Sequence, residues 1–299
     1  MDDGTPQGPD PYARLTPAQR EAVFATEPRL AVFAGAGAGK TRVLTLRAAR
    51  LVDDSVDPAT LLVVTFSRKA AQELRRRLWS LGVEGVRAGT FHRTALELLE
   101  ISRAERGQSP PTLISDRRSA LERVAASVST VATGSHVGIQ LDTELTWAKS
   151  IGLSPVDYAD AARAAQRRTR LNPDVIALLW EKYEANKQRQ SMFDFDDLIS
   201  EATAALRDPT FAAAIHWRSR HVLVDEFQDV NPAQFELVEH LVSPTTTLFC
   251  VGDPNQSIYG FNGAQPSLLR DLHHSMPGTR LILLDANHRS TPELSLIHI

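Results

Sequence analysis

The stretch 30-LAVFAGAGAGKTRVLTLRAARLV-52 decides the fold. Its opening residues, 30-LAVFAG-35, are apolar without alternation, as in a strand buried on both faces. The closing residues, 39-GKTRVLTLRAARLV-52, space Val, Leu and Ala as a helix does. Between them lies a turn of Gly and Ala. A Gly-rich turn that feeds a helix lets backbone N–H groups approach phosphate oxygens. In 34-AGAGAGKT-41, Lys40 can neutralise the outer phosphates and the Thr41 hydroxyl can ligate magnesium. The strict pattern G-x-x-x-x-G-K-[ST] fails at its first position, Ala34, and short Gly/Ala runs also serve as plain strand-to-helix turns. The strand–turn–helix setting favours the phosphate reading.

Outward from this unit the same alternation continues. A strand is expected over 60-TLLVVTF-66, a helix over 67-SRKAAQELRRRL-78 and a strand over 86-VRAGTF-91. Apolar strands separated by helices imply an α/β fold with a parallel sheet covered on both faces and ligands at the carboxyl ends of its strands. Between about Ile101 and Gln190 strand patterns vanish, and Ala, Arg, Glu and Leu recur at helical spacing. This reads as a helical insertion. The βα pattern resumes with 221-HVLVDEF-227, a helix opened by Asn231 and Pro232, the strand 245-TTTLFCVGD-253, a helix near Pro266 to His274, and the strand 281-LILLD-285. The expected organisation is a disordered tail over 1–14, a first sheet segment over 15–102, the insertion over 103–190 and a second sheet segment over 191–299.

A chain of 299 residues, 42% hydrophobic, can bury a large core. Its one cysteine, Cys250, cannot form an intramolecular disulfide, and the acidic, Pro/Gly-rich start does not read as a leader. No apolar run approaches the roughly 20 residues of a membrane helix. A cytoplasmic protein is the default. The net charge of -3 argues mildly against a coat for nucleic acid, yet Arg68, Lys69, Arg75, Arg76 and Arg77 fall in one expected helix, and Arg163, Arg167, Arg168 and Arg170 in another. Such runs are more often solvated helix faces.

A second chemical signal is 222-VLVDEFQDVNPAQF-235, where an apolar strand runs into several acids. If Lys40 and Thr41 hold a nucleotide and its magnesium, a neighbouring strand must bring a carboxylate to the metal and a base to the attacking water. Asp225 suits the first task and Glu226 the second. The competing reading, acids leaving a strand to cap the next helix, suits Asp229 and Asn231 better.

In order along the chain, 15-LTPAQREAV-23, AGAGAGKT, 64-VTFSRKAAQELRRRL-78, 89-GTFH-92, 193-FDFDDL-198, VDEFQD, 252-GDPNQSIYGFNGA-264 and 287-NHRST-291 resemble the N-terminal part of a UvrD/Rep/PcrA-type superfamily 1 DNA helicase. The resemblance implies a P-loop, RecA-like sheet with a helical insertion, ATP and Mg2+ as cofactors, and single-stranded DNA and single/double-strand junctions as partners. By the same resemblance the phosphate loop comprises Ala34, Gly35, Ala36, Gly37, Ala38, Gly39, Lys40 and Thr41, with Arg42 beside it. Gln19 would read the adenine edge, although Thr16-Pro17-Ala18-Gln19 is also a capping box. Gln256 and Arg289 would sense the γ-phosphate, and His288 would stack on adenine. Thr65, Phe66, Ser67, Lys69, Thr90, Phe91, His92, Tyr259 and Phe261 would face single-stranded DNA; Ser67 reads equally as an N-cap, and Phe66 and Phe91 as core.

Where that family has Tyr-Gly-Trp-Arg and Asn-Tyr-Arg, this chain has 259-YGFN-262 and 287-NHR-289. Phe261 and His288 keep a stacking ring, whereas Asn262 loses a charge. The chain ends before the family's second RecA-like domain and its arginine finger, which reads as a truncated frame; alone it would hydrolyse ATP poorly. The expected function is an ATP-dependent helicase moving 3′ to 5′ in DNA repair, with repair-protein partners and an oligomeric state the sequence leaves open. Alternatives are a nucleotide-dependent strand-binding module without a motor cycle, or the helicase subunit of a helicase-nuclease.

Overall fold

A computed structural model describes residues 10–128, 135–260 and 263–284. The chain runs through α1 (Pro17–Phe24), β1 (Arg29–Ala34), α2 (Lys40–Asp53), β2 (Leu61–Thr65), α3 (Arg68–Ser80), β3 (Arg87–Thr90) and α4 (Phe91–Glu105). A two-residue strand, β4 (Thr112–Leu113), precedes α5 (Arg117–Ala126), α6 (Ser135–Ser150), α7 (Pro155–Ala164) and α8 (Pro173–Gln190). After β5 (Met192–Phe193) come α9 (Phe195–Leu206), α10 (Pro209–Arg218), β6 (His221–Val224), α11 (Pro232–Leu241) and β7 (Thr247–Gly252). The described chain closes with α12 (Ser267–Arg270), α13 (Leu272–Ser275) and β8 (Arg280–Leu284).

Six strands pair in parallel in the order β3-β2-β6-β7-β1-β8. Successive side chains of a strand point to opposite faces, and here both faces are apolar. Leu30, Val32, Leu61, Val63, Leu223, Phe249 and Val251 pack with Leu44 of α2 and Leu74 of α3. Their neighbours Ala31, Leu62, Val64, Val222, Val224, Leu248 and Cys250 pack with Leu98 of α4, Leu198 of α9 and Leu237 of α11. Because β1 and β2 are consecutive in the chain but separated in the sheet by β6 and β7, the order reverses there. A crevice at the carboxyl ends follows from that reversal.

The insertion has a core of its own, built on Leu121, Leu141, Leu145, Tyr158, Ile176, Trp180 and Tyr183. Strand pattern does not vanish completely there: β4 and β5 pair in parallel at its root. Arg163 alone of the second basic run lies in α7; Arg167 leaves the helix, pairs with Glu144 at 2.6 Å and stacks on the Trp147 ring at 4.2 Å. The single helix expected over Pro266 to His274 is two short turns interrupted at Asp271 (φ -99°, ψ 12°). Residues 10–14, assigned by sequence to the tail, include Tyr12, whose ring meets Phe24 at 5.3 Å and whose hydroxyl donates to Asp53.

A buried ion cluster fastens the insertion to α9. Asp194 and Asp197 form a reciprocal capping box at the start of α9 and also receive two ammonium groups. Lys149 of α6 lies 2.9 Å from Asp194 and 2.7 Å from Asp197; Lys187 of α8 lies 3.1 and 2.5 Å from the same pair. Glu184 completes the set at 3.0 and 2.8 Å from the two lysines. Glu184, Asp194 and Asp197 stand close enough to hold a cation, but the ammonium groups already supply the positive charge. Burial alone would raise the Asp194 carboxyl, yet attraction from Lys149, Lys187 and Arg117 overrides burial and holds it well below the usual carboxylate range. Its stabilising share is complete above the ordinary Asp pKa of about 3.9 and fades as the pH falls below that value. Replacing Asp194 with Ala leaves two buried ammonium groups with only Asp197 and Glu184 to offset them, so denaturant unfolding at pH 7 is expected to show a loss of about 3 kcal/mol.

Candidate functional site

Three neighbouring strand ends build the site. At the end of β1, Ala34 is an extended strand residue paired with Leu284. It has no positive φ, so Ala serves where the strict motif has Gly. The turn then needs glycine: Gly37 has φ 76° and Gly39 φ 89°. A Cβ on Gly39 would also stand 3.0 Å from the Gln19 amide nitrogen. Gly39 is the N-cap of α2 without any side-chain cap, which leaves the first N–H groups of the helix directed at the turn. Lys40 bends back over the loop, 3.4 Å from the Ala34 carbonyl.

The second strand end is that of β6. The Asp225 N–H donates to the Val64 carbonyl at 2.9 Å, carrying the β2–β6 pairing one residue further. Its carboxyl is only 3% exposed, and burial, then repulsion from Glu226, pushes its pKa up to about 7. Glu226 follows with φ 51°, a left-handed conformation that costs a non-glycine residue about 1 kcal/mol or more. Its carboxylate lies 3.9 Å from the Lys40 ammonium and accepts a hydrogen bond from Gln228 at 2.8 Å. At the end of β7, Asp253 accepts from the Gln256 amide at 2.5 Å and from the Asn255 N–H at 3.0 Å.

Lys40, Glu226 and Gln256 border an open cavity of about 490 Å³ lined also by Gly35, Ala36, Gly37, Gly39, Thr41, Arg42 and Arg77, while Asp225 and Asp253 lie buried behind it. The Ala34 and Ala38 side chains are buried in the core instead, so of these two only the backbone faces the loop. Uncapped helix N–H groups, a lysine, an arginine pair and bare glycine backbone suit a polyphosphate. Thr41 and Asp225 offer the hard oxygen donors that magnesium takes, and a buried carboxylate pushed toward neutrality gains most from a cation. Donor chemistry and charge therefore fit a magnesium nucleotide.

Of the two roles expected for Gln19, the structure shows the capping box. The Gln19 amide oxygen accepts from the Thr16 N–H at 3.2 Å and its nitrogen donates to the Ala38 carbonyl at 2.9 Å, while its own N–H completes the capping box on Thr16. With 2% exposure it braces the loop from behind, and contact with a base would require breaking those bonds.

A second, larger groove of about 610 Å³ runs beside Phe66, Arg68, Gln72, Arg75, Thr90, His92, Arg93 and Phe195. Arg68, Gln72 and Arg75 share one face of α3 at i, i+4 and i+7, whereas Arg77 lies on the opposite side and reaches the cavity beside Lys40. The Phe66 and Tyr259 rings stack at 4.4 Å. Burial lowers the His92 imidazole pKa, with Asp196 opposing. The expected DNA contact of Thr65 is corrected, since Thr65 is fully buried; Phe91, read from the sequence as either a DNA contact or core, packs in the core at 3% exposure. Both face inward because β2 and α4 are covered on that side. Ser67 and Thr90 cap α3 and α4, accepting from the Ala70 and Arg93 N–H groups; Lys69 is exposed and lines neither cavity. Asn231, not Asp229, caps α11. Phe261, Asn262, His288 and Arg289 lie outside the described residues. Arg77, Arg75, Arg93 and Phe195 were missed by motif matching; helical phase along the α3 basic run was the signal that could have separated Arg75 from Arg77.

Residues 15–277 match the family described as the UvrD/REP helicase N-terminal domain. The chain is 36% identical over 295 residues to "ATP-dependent DNA helicase UvrD2" of Mycobacterium tuberculosis, covering 94% of this chain and 42% of that protein. It is 35% identical over 285 residues to "ATP-dependent DNA helicase PcrA" of Leuconostoc citreum, covering 92% and 37%, and 35% identical over 315 residues to "ATP-dependent DNA helicase UvrD1" of Mycobacterium bovis, covering 98% and 40%. The chain thus spans about two fifths of the length of these relatives.

Because the folded Asp225 pKa lies above its unfolded value, the carboxyl is tolerated at low pH and destabilises increasingly as pH rises from about 4 to 7. In metal-free buffer at pH 7.5, Asp225→Asn is expected to raise stability by up to about 4 kcal/mol, with the gain gone near pH 4, as read by denaturant unfolding.

Proposed function

The chain belongs to the UvrD/REP helicase N-terminal domain family, and on that premise we propose that it is the ATP-binding motor part of a DNA helicase, coupling hydrolysis to movement along single-stranded DNA. The observation that carries this reading is the convergence of Lys40, Glu226 and Gln256 on one cavity from three adjacent strand ends.

The N–H groups at the start of α2 and the Gly35–Gly39 backbone would cradle the β-phosphate, and Lys40 would leave Glu226 for the outer phosphates. Thr41 and Asp225 would hold magnesium, which when bound neutralises developing charge on the phosphoryl oxygens. Glu226, released from Lys40, would accept the proton of the attacking water. Gln256 is positioned to respond to the γ-phosphate because it borders the cavity while bonded to Asp253. The stacked Phe66 and Tyr259 link this turn to the Arg68/Arg75 groove, which suits single-stranded phosphates and bases. Polarity from 3′ to 5′, junction unwinding, and a place in DNA repair extend the same reading. No helix among the described residues is long and apolar enough to cross a membrane.

Two substitutions test the nucleotide half. Lys40→Ala is expected to weaken binding of a fluorescent ATP analogue tenfold or more, at about 1.4 kcal/mol per decade. Glu226→Gln is expected to keep that affinity while lowering hydrolysis by about 10²–10⁴. Hydrolysis at the parent rate in Glu226→Gln contradicts the assignment. For the strand half, Arg68→Ala combined with Arg75→Ala should reduce oligonucleotide affinity and flatten its salt dependence by about 0.7 per lost phosphate contact, measured by fluorescence anisotropy.

A further inference from the structure

Gln228 bonds to two functional elements at once. Its amide nitrogen donates to Glu226 Oε2 at 2.8 Å, and its amide oxygen accepts from the Asp253 N–H at 2.9 Å. The residue is 3% exposed. Its orientation is fixed by chemistry, since a flipped amide would set oxygen against a carboxylate and NH2 against an N–H. The sheet makes room for it: a Cβ on Gly252 would fall 2.5 Å from the Gln228 oxygen, so β7 ends in the one residue that lets the side chain through.

Glu226 needs such support. Its side chain is 36% exposed, it leaves a left-handed backbone, and its charged partner is Lys40 at 3.9 Å, the group that binding of phosphates would draw away. Gln228 does not line the nucleotide cavity and has no reason to move with Lys40. Asp253, anchored through its N–H to Gln228, in turn holds the Gln256 amide through its carboxylate.

We propose that Gln228 is a positioning residue for hydrolysis, holding the Glu226 carboxylate toward the cavity and tying that orientation to the Asp253–Gln256 turn. The inference rests on the reading of Glu226 as the base. Gln228→Leu removes both bonds at similar size. Gln228→Glu keeps the acceptor for the Asp253 N–H but turns the donor to Glu226 into a repelling oxygen, and it carries the test if thermal melting shows that the Leu variant fails to fold.

The experiment measures kcat and KM for ATP, together with affinity for a fluorescent ATP analogue, in this protein and its variants. Expected is a fall in kcat of about tenfold to a hundredfold, with KM and analogue affinity within about twofold. In a Glu226→Gln background the same Gln228 change should cost less than about threefold further, because its target is gone. If Glu226→Gln abolishes hydrolysis while both Gln228 variants keep the parent kcat, or if the Gln228 effect is undiminished in the Glu226→Gln background, the positioning role is overturned. Unimpaired hydrolysis by Glu226→Gln alone overturns instead the reading beneath it.

Discussion

Strand β7 hydrogen-bonds to β6 on one side and β1 on the other, in parallel, and the site depends on that pairing. The register sets Val224 beside Cys250 and Phe33 beside Gly252, so three chains emerge from the sheet side by side. One delivers the Gly-rich loop, one the acids Asp225 and Glu226, and one the Asp253–Gln256 turn. A slip by one residue would exchange the two apolar faces and misplace all three ends. The cost is concentrated where the strands stop: a buried carboxyl driven toward neutrality, a left-handed glutamate, and a glycine at the end of β7 that makes way for an amide. Strain gathered at a cavity bordered by a lysine is what a phosphate site asks of its scaffold.

Much of this was legible in the sequence because the strands are uninterrupted apolar runs and the turns carry glycine or acids. The strand expected over 30–35 is Arg29–Ala34, that over 60–66 is Leu61–Thr65, and the helix over 67–78 is Arg68–Ser80. Periodicity could not show which way a residue at an element's end would turn. Thr65 sits in a matching motif but is fully buried, and the bond from the Gln19 amide to the Ala38 carbonyl, unlike its capping box with Thr16, left no mark in the sequence. Nor could spacing reveal that Asp194 and Asp197, three residues apart at the start of α9, would meet lysines from two distant helices. Contacts of that kind are decided by tertiary packing.

The insertion is joined to the sheet by charge as well as by apolar contact. The cluster around Asp194 lies at the start of α9, whose Phe195 borders the basic groove, and Lys149 neighbours Ser150 at the end of α6. A Cβ on Gly263 would strike Ser150 at 2.0 Å, so the loop beyond the Gln256 turn lies directly on that helix end. The groove and the insertion are therefore joined through side chains of α6 and α9, and not only through a backbone frame.

Whether the three strand ends form one nucleotide site is open to direct test. The direct measurement is a crystal structure of the chain with magnesium and a non-hydrolysable ATP analogue. The prediction is phosphates on the N-terminus of α2, metal density against Thr41 and Asp225, and Lys40 moved from Glu226 to the phosphates. Nucleotide bound elsewhere, or Lys40 still on Glu226 with the analogue in place, would contradict it.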